Sequence, residues 1–128
     1  TLNPGGVRIG TAEIYRIVEG YSEIADSLVV GQDWEGDERI ILFVKLAEGV
    51  SFSKILSEYI SDAIRKNCSP RHVPEKILET KDIPYTISGK KVEIAVRKII
   101  SGEDITHRDA LSNPESLDFY IDLIELQS

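Results

Sequence analysis

The chain predicts a small α+β domain, a sheet of about three strands covered by helices. Apolar residues change period along it, from the spacings of three and four that mark helices to short β-branched runs that mark strands. Two such runs, 28–30 and 40–44, are separated by the polar, glycine-containing stretch 33–38, which reads as a hairpin connection with an exposed acidic turn. The 128 residues are 41% hydrophobic and 29% charged, enough for one core of ordinary domain size.

Taken in order, Ile14, Ile17, Val18 and Tyr21 form a helical stripe after Thr11, a candidate cap. The paired runs follow. Ile55, Leu56, Tyr59, Ile60, Ala63 and Ile64 then repeat at helical spacing after Ser51, and this second helix is expected to end near Asn67, before Pro70. Residues 73–80 read as a third strand, with Pro74 placing its start at an edge. Val92, Ala95, Val96, Ile99 and Ile100 make a third helix that stops at Ser101-Gly102. Asn113-Pro114 reads as a cap and first-turn proline for a last helix facing inward through Leu117, Tyr120, Ile121 and Ile124.

Several function classes are disfavoured at once. A net charge of −7, with no basic run interleaved with aromatics, argues against nucleic acid as a partner. No apolar run approaches the roughly 20 residues needed to span a bilayer, and no signal segment opens the chain, so a cytoplasmic protein without membrane contact is expected. Cys68 is the single cysteine, which excludes an intramolecular disulfide and leaves a structural role as its default. His72 and His107 offer no recognisable zinc spacing, and no metal ligand is assigned.

The segment 83–91, Ile-Pro-Tyr-Thr-Ile-Ser-Gly-Lys-Lys, carries the best candidate for chemistry. Pro84 biases its predecessor toward an extended backbone, and Ser88-Gly89 allow a reversal, so a lysine stands on a turn between two patterned segments. A Walker-type phosphate loop is excluded, because Pro84 and Lys91 occupy the positions where it needs Gly and Ser or Thr. The residues alone allow either a polar surface connection or a lysine presented for reaction.

That segment, together with Gly5-Gly6-Val7-Arg8-Ile9-Gly10-Thr11-Ala12-Glu13-Ile14, resembles the two late motifs of the acyl-adenylate-forming enzymes, the superfamily of acyl-CoA synthetases, luciferases and peptide-synthetase adenylation domains. Ser88 to Glu93, Arg97 to Gly102 and Arg108 to Leu117 resemble its acetoacetyl-CoA synthetase branch rather than the acetyl-CoA branch. The resemblance covers the whole chain but only the C-terminal domain of such an enzyme. It implies a single mobile domain over 1–128, with 103–128 as a helical extension. A large N-terminal domain carrying most of the acyl and adenine pockets would be its partner.

The implied enzyme is an AMP-forming acid–CoA ligase with acetoacetate, ATP and CoA as substrates. Mg2+ would accompany ATP without being held by this domain. Lys90 takes the place of the adenylation lysine, and Lys91 reads as a surface or helix-entry charge. Gly6 takes a place lining the CoA path, beside the plainer reading of a flexible turn that feeds a strand-like stretch 7–9. Arg8 matches a nucleotide-contacting arginine, or else braces Glu13, which reads as structural. Arg65 matches a CoA phosphate contact, a role that Lys66 could share, although an arginine at a helix C-terminus also complements the dipole without a ligand. By itself the domain is expected to be inert. Acetyl- or propionyl-CoA synthetase, and a non-catalytic interaction module docking through the 33–38 turn and the last helix, are the alternatives. Acetylation of Lys90 would remove the charge used in adenylation.

Overall fold

A computed structural model of the chain describes residues 2–105 and 108–128; His107 lies outside them. The two β-branched runs grow into a long antiparallel hairpin, β1 (Ile24–Trp34) and β2 (Asp37–Leu46), in register from Asp26↔Lys45 to Trp34↔Asp37. Its two-residue turn, Glu35-Gly36, has positive φ at both positions (52° and 78°), as tight hairpins with right-handed twist require. Glycine adopts this freely and glutamate does not. Glu35→Asn is therefore expected to stabilise the isolated chain by about 0.5–1 kcal/mol, seen as a higher urea midpoint with unchanged m.

β3 (Lys76–Glu79) joins β2 in parallel, with Ile41↔Lys76 and Val44↔Glu79, giving a mixed sheet of order β1-β2-β3 with β3 at an edge. A parallel partner needs a crossover, and α2 (Lys54–Asn67) supplies it. Side chains alternate along β1 and β2, and both faces are buried, which is why 40–44 reads as an unbroken apolar run. Val29, Ile40, Leu42 and Val44 face Ile14 and Val18 of α1 (Ala12–Val18) and Ile60 and Ile64 of α2. Leu28, Val30, Ile41 and Phe43 face Val96 and Ile99 of α3 (Glu93–Ile100), with Leu117 and Tyr120 from the C-terminal segment. No helix of the described residues is long and apolar enough to cross a membrane.

Several local expectations are corrected. Thr11 precedes α1 but makes no side-chain cap; the short helix is held by the fully buried Ile14 and Val18. Ser53 caps α2, its Oγ accepting from Leu56 N–H at 3.1 Å, while Ile55 and Tyr59 of the expected stripe are exposed. Residues 7–9 form no strand: a single Leu2↔Ile9 bridge closes the loop around the 3₁₀ turn Pro4–Gly6. The last helix is not an α-helix. Pro114–Tyr120 and Ile124–Leu126 are 3₁₀ turns that bury Leu117, Tyr120 and Leu126 and leave Ile121 and Ile124 exposed. Asn113 does not cap it, because its side-chain amide is committed to Asp82, Ile83 O and Tyr85 N–H.

Candidate functional site

Lys90 stands on a short hairpin closed at its base by an isolated Tyr85↔Lys91 bridge. Thr86 N–H donates to Lys90 O at 2.8 Å, Lys90 N–H donates to Thr86 Oγ1 at 3.0 Å, and Gly89 N–H donates to Thr86 O at 2.9 Å. Gly89 makes the reversal at φ 90°, where any Cβ would be strained. Thr86 also bridges Leu111, and Ile87 N–H donates to Ala110 O, so the turn is braced from the C-terminal segment. The Lys90 side chain is exposed at the tip.

Lys91 does the opposite, which corrects its reading as a surface charge. Alternation sends it inward to 18% exposure, where its ammonium donates to Ser27 O at 2.6 Å and pairs with Glu19 and with Asp26 at 3.3 Å, 3.8 Å above the Tyr15 ring. Asp26 also accepts from the Tyr85 hydroxyl at 2.6 Å, so one carboxylate grips both ends of the base. Tyr15 completes the assembly: its hydroxyl accepts from Val29 N–H at 2.9 Å and donates to Glu93. Ser27 O and Val29 N–H belong to β1, whose outer edge has no strand partner among the described residues. Lys91 and Tyr15 satisfy these groups and cover the edge.

These contacts shape the titration of the site. Burial pushes the Tyr15 phenol up, with the Glu93 carboxylate adding to it; burial and then Asp26 do the same to Tyr85. Burial likewise raises Tyr120, whose hydroxyl donates to Asp82 O at 2.7 Å. Burial opposes the charge of Asp82, but hydrogen bonds from Asn113, Lys45 and Ile83 N–H outweigh it and hold the carboxyl below the usual carboxylate range. The folded chain thus keeps phenolic protons that the unfolded chain releases above about pH 10. Stability is expected to be unaffected by these groups below that pH. Above it, stability falls by up to about 1.4 kcal/mol per pH unit for each well-buried phenol. Urea midpoints that stayed level from pH 9 to pH 11 would contradict the buried phenols.

Gly6 and Arg8 lie elsewhere. Gly5 and Gly6 have φ of 60° and 80°; Gly5 N–H donates to Asp37 Oδ1 at 3.1 Å, and Asn3 N–H donates to Glu38 Oε2 at 2.6 Å. A Cβ on Gly6 would meet nothing within 4 Å, so its flank is open and its backbone angle is what favours glycine. Arg8 is exposed and forms no ion pair with the described residues. Its expected brace to Glu13 is absent, and Glu13 faces His72 instead, at 3.4 Å. Arg65 is half-exposed in the last turn of α2 and pairs with Asp62 at 2.7 Å.

The lysine turn is anchored at Asp26 and Ser27, whereas the glycine loop is anchored at Asp37 and Glu38, opposite Trp34 and Asp33. Seven strand positions separate the anchors, roughly 23 Å at 3.3 Å per residue. The glycine loop and the lysine turn therefore do not meet in one cleft. Sequence reasoning missed Lys91, Tyr15, Asp26 and Asn113, which come together only across the tertiary fold.

Residues 13–90 match the family described as AMP-binding enzyme C-terminal domain. The chain belongs to that family. The match runs through Lys90 and includes Arg65, and it leaves Gly6 and Arg8 outside. Among relatives of this AMP-binding enzyme C-terminal domain, the acetoacetyl-CoA synthetase of Xenopus tropicalis is 60% identical over 129 residues, covering 100% of this chain and 19% of the relative. That of Rhizobium meliloti (strain 1021) is 55% identical over 128 residues, covering 100% of this chain and 20% of the relative. The solved acetoacetyl-CoA synthetase from Streptomyces lividans superposes with a TM-score of 0.85 at 37% identity, covering 95% of this chain and 19% of that one. The chain thus spans about a fifth of the length of the curated relatives it matches.

Proposed function

We propose that this domain serves an AMP-forming ligase that activates acetoacetate with ATP and transfers it to CoA. The observation that carries the reading is Lys90, held outward on a turn whose base is tied to the sheet. Identity of 55% to 60% with acetoacetyl-CoA synthetases over the whole chain supports acetoacetate as the acid.

In the first half-reaction the acetoacetate carboxylate attacks the α-phosphorus of ATP and pyrophosphate leaves. Both reactants are anionic, and the Lys90 ammonium bridges their oxygens, offsetting repulsion as charge builds. In the second, the CoA thiol attacks the acyl carbon of acetoacetyl-AMP and expels AMP. Gly6 then lines the pantetheine path, Arg8 meets the nucleotide, and Arg65, with Lys66 beside it, meets a CoA phosphate. A large N-terminal domain holds the acyl and adenine pockets and the Mg2+ that accompanies ATP. The whole acts in the cytoplasm.

The separation of roughly 23 Å along β1 between the anchors of the lysine turn and of the glycine loop favours a rigid-body swing that offers the lysine turn for adenylation and the glycine loop for thioester formation. Pyrophosphate exchange with acetoacetate, acetate and propionate, measured on a full-length enzyme carrying this domain, tests the reading. Exchange with acetate or propionate exceeding that with acetoacetate would overturn the substrate, and exchange that survives Lys90→Ala would overturn the lysine's role.

A further inference from the structure

Three side chains that the proposed reaction does not use converge on the helical face behind the glycine loop. Glu13 comes from the first turn of α1, Cys68 follows the last residue of α2, and His72 belongs to the 3₁₀ turn Pro70–His72. Their ligand atoms all lie within 4.8 Å of one another.

The arrangement has the features of a built site. His72 Nδ1 shares a 2.7 Å hydrogen bond with Ser69 Oγ, which orients the ring and leaves Nε2 facing Glu13 Oε2 at 3.4 Å. That is long for a hydrogen bond, but it is the separation, about 3.4 Å, of two ligands each 2.0–2.1 Å from one tetrahedral zinc ion. The His72 side chain is only 19% exposed while that of Glu13 is 58% exposed, so the site has a fixed floor and an open side through which an ion can enter.

We propose that Glu13, Cys68 and His72 bind a borderline-soft divalent cation, Zn2+, with water in the fourth position. One thiol, one imidazole and one carboxylate suit zinc and disfavour Mg2+ and Ca2+, which take oxygen ligands. On binding, the Cys68 S–H bond breaks, its proton passes to solvent, and Sγ bonds to the metal. Thiolate and carboxylate together then balance the two positive charges of the ion. Ser69 acts as the outer partner that holds the imidazole.

The bound ion joins α1 to α2 and to the turn that carries Arg71. A Cβ on Gly5 would stand 3.8 Å from Arg71 Nη1, so the joint adjoins the glycine loop. Sequence spacing hides the site because Glu13 is remote from Cys68 and His72 and no second Cys or His pair accompanies them.

The test is titration of the metal-free chain with Zn2+ by calorimetry and thermal unfolding, with Co2+ as a spectroscopic substitute. The expected result is one equivalent of Zn2+ bound at micromolar concentration, a raised Tm, and a sulfur-to-cobalt absorption band that Cys68→Ser abolishes. Cys68→Ser and His72→Gln are each expected to weaken binding at least about tenfold. Absence of saturable binding, or equal binding by Cys68→Ser, would overturn the proposal. If His72→Gln does not fold, the cobalt band and its loss in Cys68→Ser decide the matter.

Discussion

Lys90→Ala is expected to lower acetoacetate-dependent pyrophosphate exchange about 1000-fold in a full-length enzyme carrying this domain, while thioester formation from preformed acetoacetyl-AMP stays within about threefold. The size follows from electrostatics. Two unit charges about 4 Å apart at an effective dielectric near 20 interact by roughly 4 kcal/mol, close to three powers of ten in rate if felt only in the transition state. The asymmetry follows from geometry, because Lys90 is remote from the glycine loop, with anchors roughly 23 Å apart along β1. Since Lys90 is exposed at the tip of its turn, the substitution removes no packing, and the isolated chain is expected to keep its Tm. Equal loss in both half-reactions would tie Lys90 to a step they share and sink the division of labour.

Lys91→Met should behave in the reverse way, unfolding the domain far more easily. Its ammonium serves Glu19, Asp26 and Ser27 O at 18% exposure, so removal leaves two carboxylates without their cation and an edge carbonyl of β1 without its donor. Breaking a buried pair by deleting one partner costs about 3–5 kcal/mol, and the part-exposed Glu19 brings the expectation here to about 2–3 kcal/mol. For a chain of this length that is a fall in Tm of roughly 10 °C. The exposed Lys98 is the control, and Lys98→Met should change stability by no more than about 0.5 kcal/mol. If the two variants unfold together, the ammonium does not hold the turn. Lys90 and Lys91 are neighbours with the same side chain, and these paired measurements separate presentation from anchorage.

Much of the fold was legible because it rests on local patterning. The short apolar runs 28–30 and 40–44 flanking a polar, glycine-containing stretch read as paired strands, and the stripe 55–64 with Pro70 beyond it set the end of α2. The turn at Lys90 was legible because Pro84, Ser88 and Gly89 restrict the backbone where they stand. The terminal segment was misread for an equally physical reason. Asn113-Pro114 has the chemistry of a helix start, but the Asn113 amide has better partners in Asp82, Ile83 and Tyr85, so the chain that follows winds into 3₁₀ turns.

The amino-acid sequence by itself determined the α+β class, the acidic hairpin, the family resemblance and the glycine-hinged turn that offers Lys90. All of these depend on residues close together along the chain. Only the tertiary structure decided that Lys91 turns inward, that Asp26 grips both ends of the turn through Tyr85 and Lys91, that the glycine loop lies at the far end of the sheet, and that Glu13 meets Cys68 and His72. The reason is that a side chain's partner is set by which strand edge or helix end the fold delivers beside it, and periodicity along the chain records which face a residue takes but not what it meets there.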